Sequence, residues 1–311
     1  MRKAWASVVM WAVCAVCAAG LMGAIATWLA TAPRPVFSAD ATSLFDQAGD
    51  AKRGEQVFIA GDCASCHASP GQNDQLRLGG GLALASPYGT FRAPNISTDP
   101  TDGIGAWTTK DLGNALLSGV SPDGSHYYPV FPYSSYAHLT IEDVADLMAY
   151  LRSLPPVSGR APPHDLNLLF SIRRVVGFWK LLYFKPGRLE PVPSHDEQWN
   201  RGRYLVEAAG HCAECHSSRG LLGGIKEKTR FAGGKDPEGT GFYPNITPAR
   251  IGHWSQADIA EMLKSGNTPD HGRVGASMTD VVINTSKLPQ PDRDAIAAYI
   301  KALPSRPTEE P

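Results

Sequence analysis

The sequence predicts an all-α protein in which one N-terminal transmembrane helix precedes a tandem of two similar helical domains. Three observations support this prediction. The chain opens with an uncharged, apolar stretch from Ala4 to Ala32. Beyond it, segments of the first half return in the second half after a nearly constant number of residues. Most segments space their apolar residues as helices do, and no convincing run of alternating strand residues interrupts them.

The N-terminal stretch is long enough to cross a membrane. The apolar core of a signal peptide has roughly 7–15 residues, whereas a spanning helix needs about 20. Residues 30–32 resemble a small-residue cleavage site, but Pro33 follows them directly. Residues 1–35 are therefore interpreted as an uncleaved anchor, with a cleaved signal peptide as the alternative. Because Arg2 and Lys3 precede the stretch, the rest of the chain is expected outside the cytoplasm in both cases.

The positions of two cysteines and the net charge bear on which ligands and partners are expected. Two of the six cysteines, Cys14 and Cys17, lie within the apolar stretch, and no histidine follows them. They are interpreted as small apolar side chains of the membrane helix. The formal net charge of −1 provides no basic field, so no nucleic-acid partner is expected.

The repeat is visible in motifs at matching positions. Cys63 is answered by Cys212, 149 residues later. The segment LMAYLRSLP at 147–155 is answered by IAAYIKALP at 296–304, again after 149 residues. Nearly constant steps indicate one duplicated unit. The predicted organisation is a domain at residues 45–155, a linker at 156–195, a second domain at 196–305 and a tail at 306–311.

Each predicted domain contains three main helices in the same order. The first leads into a cysteine motif. The second begins at a Thr or Ser N-cap and stops at a glycine, at residues 108–119 and 255–266. The last has apolar residues at helical spacing, at residues 140–151 and 290–300. The linker contains the apolar and partly basic segment 168–184, which either packs between the domains or forms a docking surface for a partner or the membrane.

The motifs CASCH and CAECH carry the chemistry. Two thiols three positions apart lie on one side of a helical turn, where each can bond one vinyl group of a porphyrin, and the adjacent histidine can face the iron. CxxCH is the attachment pattern of haem c. A structural zinc site needs four ligands, and each copy offers three. The sequence therefore predicts two covalently attached haem c groups, bound through Cys63, Cys66, Cys212 and Cys215, with iron ligands His67 and His216.

The sixth iron ligand differs between the two copies. In the second copy Met278 lies in a predicted Gly- and Ser-rich loop ahead of the last helix, and histidine/methionine ligation suits electron transfer. In the first copy the matching position falls near Phe131, which cannot ligate iron. His126 and His138 flank that loop and are both candidates. Otherwise the first iron is five-coordinate or holds water.

A second pair of recurring segments is APNIS at 93–97 and YPNIT at 243–247. Their prolines predict a turn. Asn95 and Asn245 either hydrogen-bond the haem edge or cap that turn. Trp107 and its counterpart Trp254 either cover a haem propionate edge or belong to the core.

Taken together, these residues resemble the membrane-bound class I cytochrome c family, which provides the cytochrome subunit of bacterial periplasmic dehydrogenases such as alcohol and gluconate dehydrogenases. The likeness covers nearly all of residues 45–305 and includes the segments CASCH, APNIST, SPDGSHYYPVFPYSSY, RGRYLVEAAGHCAECH and NTSKLP. Alcohol dehydrogenase relatives carry three haems, so this chain is similar to a two-haem variant. Those relatives have a methionine where Phe131 stands.

The resemblance implies two class I cytochrome c domains behind a single-pass anchor in the bacterial inner membrane, facing the periplasm. It also implies electron transfer from a periplasmic dehydrogenase subunit towards quinone or a terminal oxidase, without independent enzyme activity. Phe131 supports a rival interpretation, a dihaem enzyme of the peroxidase or thiosulfate-oxidising type with an open first haem. A haem-based sensor is a third interpretation.

Overall fold

The structure is a computed structural model that describes residues 2–37, 48–236, 239 and 241–309. Residues 45–47, at the start of the first predicted domain, and residues 310–311 of the tail lie outside the described residues. The described part of the chain contains thirteen α-helices and five short strands. Helices predominate, as the sequence predicts.

The chain begins with helix α1, Arg2–Ala30, which is 29 residues long. Its segment Met10–Ala30 has a mean hydropathy of 2.0, and none of it is buried against the rest of the described chain. By length and composition α1 can cross a membrane. Thr31 follows the last helical residue, and its backbone N–H and side-chain hydroxyl both donate to the Thr27 carbonyl oxygen.

Residues 48–159, here called the first half, form five helices. They are α2 Ala51–Ala60, α3 Cys63–His67, α4 Thr109–Ser118, α5 Tyr133–Tyr136 and α6 Ile141–Ser153. Helices α2 and α6 cross closely because Gly54 has no side chain. A Cβ at this position would lie 1.9 Å from the Asp146 carbonyl oxygen. The crossing buries Phe58, Val144 and Leu147 in the core.

Residues 196–309, here called the second half, form six helices. Their helices are α8 Glu197–Tyr204, α9 Cys212–Cys215, α10 Pro248–Ile251, α11 Gln256–Ser265, α12 Met278–Thr285 and α13 Gln290–Lys301. A π-helical segment, Leu205–Ala209, extends α8 towards the second cysteine motif. Gly202 permits the crossing of α8 and α13, since a Cβ there would lie 1.9 Å from the Ala295 carbonyl oxygen.

The middle helices of the two halves begin and end alike. Thr108 caps α4 in a capping box with Asp111, and Ser255 caps α11 in a capping box with Asp258. Both helices end at a glycine in the left-handed region, a conformation that glycine adopts without steric cost. The predicted boundaries of these two helices are confirmed.

Two small antiparallel sheets were not predicted. Strands β1 Ala83–Ser86, β2 Gly89–Arg92 and β3 Asp165–Leu166 form one sheet. Strands β4 Gly234–Lys235 and β5 Phe242–Tyr243 form the other. With two to four residues each, they are too short for strand alternation to be recognised in a sequence. The linker adds helix α7, Val176–Tyr183, preceded by a 3₁₀ turn at Arg173–Val175.

One hydrophobic core runs through both halves. It includes Val57 and Leu147 from the first half and Val206 and Ile296 from the second. Polar contacts cross the same boundary, because Tyr204 of α8 donates to the Asp143 carboxylate and accepts from the Thr140 backbone N–H at 3.1 Å. The two halves therefore form a single packed body.

Candidate haem-attachment sites

The first cysteine motif is a single helical turn that follows a strained residue. Asp62 has φ 53°, in the left-handed region, and α3 begins at Cys63. The Asp62 carboxylate accepts a 2.5 Å hydrogen bond from the Ser65 hydroxyl and another from the Asn284 amide. Burial raises the pKa of the Asp62 carboxyl, while the Ser65 hydrogen bond opposes this shift. The turn is thus fastened by a side chain from α12.

The two motif histidines are oriented by the same hydrogen bond. His67 Nδ1 lies 2.8 Å from the Pro94 carbonyl oxygen, and His216 Nδ1 lies 2.7 Å from the Pro244 carbonyl oxygen. Since a carbonyl only accepts, Nδ1 carries the proton in both rings and donates it. This leaves Nε2 of each ring with its lone pair available to a metal. Burial lowers the pKa of both imidazoles, which favours the neutral form that ligates iron.

The accepting prolines are held by the asparagines that follow them. Asn95 Oδ1 accepts from the Ser97 N–H at 2.9 Å, and its Nδ2 donates to the Val157 and Gly159 carbonyl oxygens. Asn245 makes the matching bonds to Thr247, Arg306 and Thr308. Both amide protons of each side chain are used within the protein. The turn-capping interpretation is therefore favoured over contact with a haem edge.

The four motif cysteines are all half-buried. None of the six cysteines forms a disulfide. Burial raises the pKa of Cys212 to about 12 and that of Cys215 to about 11, and it also raises the pKa of Cys63. Among the described residues, no cluster of three or more His, Cys, Asp or Glu side chains is placed to hold a metal ion. Paired thiols beside an oriented imidazole fit a covalently bound haem better than a bare metal site.

Met278 stands at the first position of α12, and the predicted loop ends one residue earlier at Ser277. The loop prediction was therefore wrong at this residue, because α12 starts earlier than its Gly- and Ser-rich flank indicates. Met278 is half-buried and packs against the main core, as does Met262 inside α11. Its assignment as an iron ligand stays a prediction.

Backbone pairing supports the equivalence of Phe131 and Met278. The Tyr127 N–H donates to the Gly119 carbonyl at 2.9 Å, and the Val274 N–H donates to the Gly266 carbonyl at 2.9 Å. Phe131 and Met278 each follow four residues later. Phe131 packs its ring against three tyrosine rings, with centroids 5.5 Å from Tyr127, 6.1 Å from Tyr133 and 5.8 Å from Tyr136.

The candidate histidines of the first half make other contacts. His126 is 3% exposed, and its Nε2 lies 2.9 Å from the carbonyl oxygen of Thr31, directly after α1. Its Nδ1 is buried without a hydrogen-bond partner. His138 Nδ1 lies 2.5 Å from the Gly187 carbonyl oxygen. Trp107 and Trp254 both pack against the core, which is one of the two roles expected from the sequence.

No sequence pattern predicts that the two motif segments meet. A Cβ on Gly61 would lie 3.5 Å from the Ala209 carbonyl oxygen, and the Gly61 carbonyl accepts from the Tyr136 hydroxyl at 2.8 Å. The Tyr136 ring also lies 6.1 Å from the ring of His211, next to the second motif. The chain thus brings both CxxCH turns to one boundary between its halves.

A helical protein with CxxCH turns and carbonyl-oriented histidines belongs to the class that binds haem c. Comparison with known proteins agrees with this class. The family model for cytochrome c matches residues 51–155. A diheme cytochrome c-type protein of Cereibacter sphaeroides is 51% identical over 288 residues, which are 92% of this chain and 95% of that protein. The chain belongs to the cytochrome c family.

Two other relatives are subunits of larger enzymes. The fructose dehydrogenase cytochrome subunit of Gluconobacter japonicus is 38% identical over 82% of this chain. The cytochrome c subunit of the quinone alcohol dehydrogenase of Gluconacetobacter polyoxogenes is 36% identical over 83% of this chain. The chain spans 52% and 57% of these two subunits, respectively.

Proposed function

We propose that this chain is a membrane-anchored dihaem cytochrome c of the bacterial inner membrane that transfers electrons from a periplasmic dehydrogenase to quinone or a terminal oxidase. One haem c would be held by Cys63, Cys66 and His67. The other would be held by Cys212, Cys215 and His216. The observation that carries the proposal is the pair of matching histidine–carbonyl bonds at the two CxxCH turns.

Haem c supplies a one-electron iron couple when bound, and the protein tunes it through axial ligands, burial and hydrogen bonds. Here Pro94 and Pro244 would fix the two imidazoles, and the core would exclude water from both turns. The contact between Gly61 and Ala209 supports electron exchange between the two groups, because electron tunnelling falls steeply with distance. Met278 on one side and Phe131 on the other would give unlike potentials, and hence a direction of transfer.

The donor and the location rest on the relatives and on α1. Both dehydrogenase relatives are cytochrome subunits, which supports a dehydrogenase as the electron donor. The apolar helix α1, flanked by Arg2 and Lys3, supports a single-pass anchor with the two halves on the periplasmic side.

A redox titration of the purified full-length protein, followed by electron paramagnetic resonance, tests this function. We expect two haem signals with separate midpoint potentials and rapid reduction by a dehydrogenase added with its substrate. Mass spectrometry of the peptides that contain Cys63 and Cys212 should find a haem on each. A protein with one attached haem, or one that no dehydrogenase reduces, would contradict the proposal.

Phe131 favours a second function, an enzyme with an open first haem. No methionine occupies this position, and the His126 Nε2 is bonded to the Thr31 carbonyl. A high-spin ferric signal that shifts with cyanide, together with peroxide or thiosulfate turnover by the protein alone, would support the enzyme. Two low-spin signals without turnover would support the carrier.

A further inference from the structure

The linker and the 221–222 loop of the second half together expose an apolar surface, here called the collar. Its side chains are each about half exposed or more, and the extremes are Leu168 at 86% and Leu221 at 96%. The members are Leu168, Leu169, Ile172, Phe178, Leu181, Leu182, Leu221 and Leu222. Large apolar side chains scattered singly are ordinary on protein surfaces, whereas a contiguous group marks an interaction site.

Three contacts show that the collar is contiguous. The Trp179 indole N–H of α7 donates to the Leu222 carbonyl oxygen at 3.1 Å. The Tyr88 hydroxyl donates to the Leu221 carbonyl oxygen at 3.4 Å. The Tyr88 ring in turn packs 4.7 Å from the ring of Phe170. The 221–222 loop therefore lies between α7 and the turn that contains Leu168 and Leu169.

The collar is attached to the end of α1. The Arg174 guanidinium lies 4.0 Å over the ring of Trp28 and donates to the Trp28 carbonyl oxygen. Gly177 packs against Thr31 so closely that a Cβ would lie 2.3 Å from the Thr31 carbonyl oxygen. His126 Nε2 lies 2.9 Å from the same oxygen. If α1 spans a membrane, these contacts place the collar where the chain leaves the bilayer.

Charge and aromatic content identify the partner. Residues 166–189 contain no acidic residue, and Asp165 and Glu190 flank them. Their basic residues are Arg173, Arg174, Lys185 and Arg188, and a fifth, Lys180, instead donates to the Ser118 and Gly119 carbonyl oxygens inside the protein. Basic segments beside a membrane helix are attracted to anionic lipid headgroups. Trp28, Trp179 and Tyr183 are of the two residue types that concentrate at the membrane–water boundary. This composition beside α1 favours a lipid surface over a protein partner.

We propose that the collar is inserted into the headgroup–acyl boundary of the membrane around the exit of α1, with an anionic phospholipid bilayer as its partner. The amphipathic α7 would lie in the plane of this boundary. The proposal rests on the membrane anchor proposed above. It goes beyond that anchor because it makes the linker a second membrane contact, which would hold the two attachment turns at a fixed height and orientation.

The test uses the full-length holoprotein in phosphatidylethanolamine/phosphatidylglycerol vesicles that contain an apolar photoactivatable carbene reagent. Peptide mass spectrometry then locates the labelled residues. We expect labels on α1, on residues 168–184 and on residues 221–222. Peptides around Ile283, which is 48% exposed and belongs to α12, should stay unlabelled.

A triple variant, Leu168→Glu/Leu181→Glu/Leu221→Glu, should reduce collar labelling to the level around Ile283 while α1 stays labelled. The control Ile283→Glu should change nothing, and unchanged haem absorption in both variants shows intact folding. Labels on α1 without labels on the collar would overturn the collar and leave the anchor standing. An unlabelled α1 would overturn the anchor as well. A collar that stays unlabelled in the vesicles and becomes buried only when the dehydrogenase subunit binds would overturn the proposal and assign the surface to that protein instead.

Discussion

The two halves of the molecule hold their motif histidines by the same hydrogen bond, but they have different residues at the position proposed to face the other side of each haem. His67 and His216 each donate Nδ1–H to a proline carbonyl, and the following asparagine fixes each proline in the same way. Four residues beyond another matched backbone bond, one half has Phe131 and the other has Met278. The comparison teaches that the hydrogen bonds that orient the motif histidines are the same in both halves, whereas the residue at the matched position, Phe131 or Met278, differs.

A second difference lies beside the first. His126 pairs with Val120 in an isolated bridge, and the same bridge in the second half joins Arg273 to Asn267. His126 is buried against the residue that follows α1, whereas Arg273 is exposed. A position that is free in the second half therefore serves in the first half as a support for the N-terminal helix. At this position the first half contacts the end of α1, whereas the second half exposes Arg273 to solvent.

The largest expected effect comes from removing the attachment cysteines of one half at a time. Cys63→Ala/Cys66→Ala and Cys212→Ala/Cys215→Ala should each lose one covalent haem and keep the other, because each pair belongs to its own turn. Mass spectrometry of the intact protein measures the loss. Cys14→Ser/Cys17→Ser is the matched control and should retain both haems. Loss of both haems from either variant would show that the halves mature as one unit, against the comparison.

The next effect concerns the distal residues. Met278→Ala should lower the potential of the second haem by a sizeable part of the roughly 0.8 V range over which axial ligands act. Loss of the thioether would also open that iron to cyanide. Potentiometric titration and electron paramagnetic resonance measure both changes. Met262→Ala is the control, since Met262 packs inside α11 and should leave the potential unchanged. An unaltered potential in Met278→Ala would remove Met278 from the ligand set.

The reverse substitution sharpens the same contrast. Phe131→Met places a thioether at the position that matches Met278, so the first haem should gain a low-spin signal and a higher potential. The tyrosine rings of residues 127, 133 and 136 surround this position, and methionine is flexible enough to fill an irregular gap there. Phe131→Leu is the control for lost ring packing. If both variants behave alike, the side chain at 131 does not face the iron.

The sequence was informative where the signal is local. Both CxxCH turns and the caps and end glycines of α4 and α11 follow from residues a few positions apart. The bond from Asn284 to Asp62 spans 222 positions, and the bond from His126 to Thr31 spans 95. Such contacts depend on how the halves pack, and no local pattern encodes them. For the same reason the role of Asn95 stayed open until Val157 was placed beside it.

A smaller effect is expected from the buried asparagines. Asn95→Ala and Asn245→Ala should each lower the free energy of unfolding by about 1–3 kcal/mol, because buried carbonyl and N–H partners are left unsatisfied. Chemical denaturation of the holoprotein measures the loss, and the exposed Asn73→Ala is the control. Similar losses in both variants would support equivalent scaffolds. A loss confined to one half would break that equivalence.

The smallest expected effect tests the two helix caps. Thr108→Ala and Ser255→Ala each remove the hydroxyl that accepts from the N3 backbone N–H, at 3.2 Å from Asp111 and 3.1 Å from Asp258. Each change should cost about 1 kcal/mol. The Thr108 and Ser255 side chains hydrogen-bond Asp111 and Asp258 within their own helices, so both haem potentials should stay unchanged. Thermal unfolding and redox titration of the same samples separate the two readouts. A shifted potential in either variant would mean that α4 or α11 positions its haem, and that the halves differ in more than the distal residue.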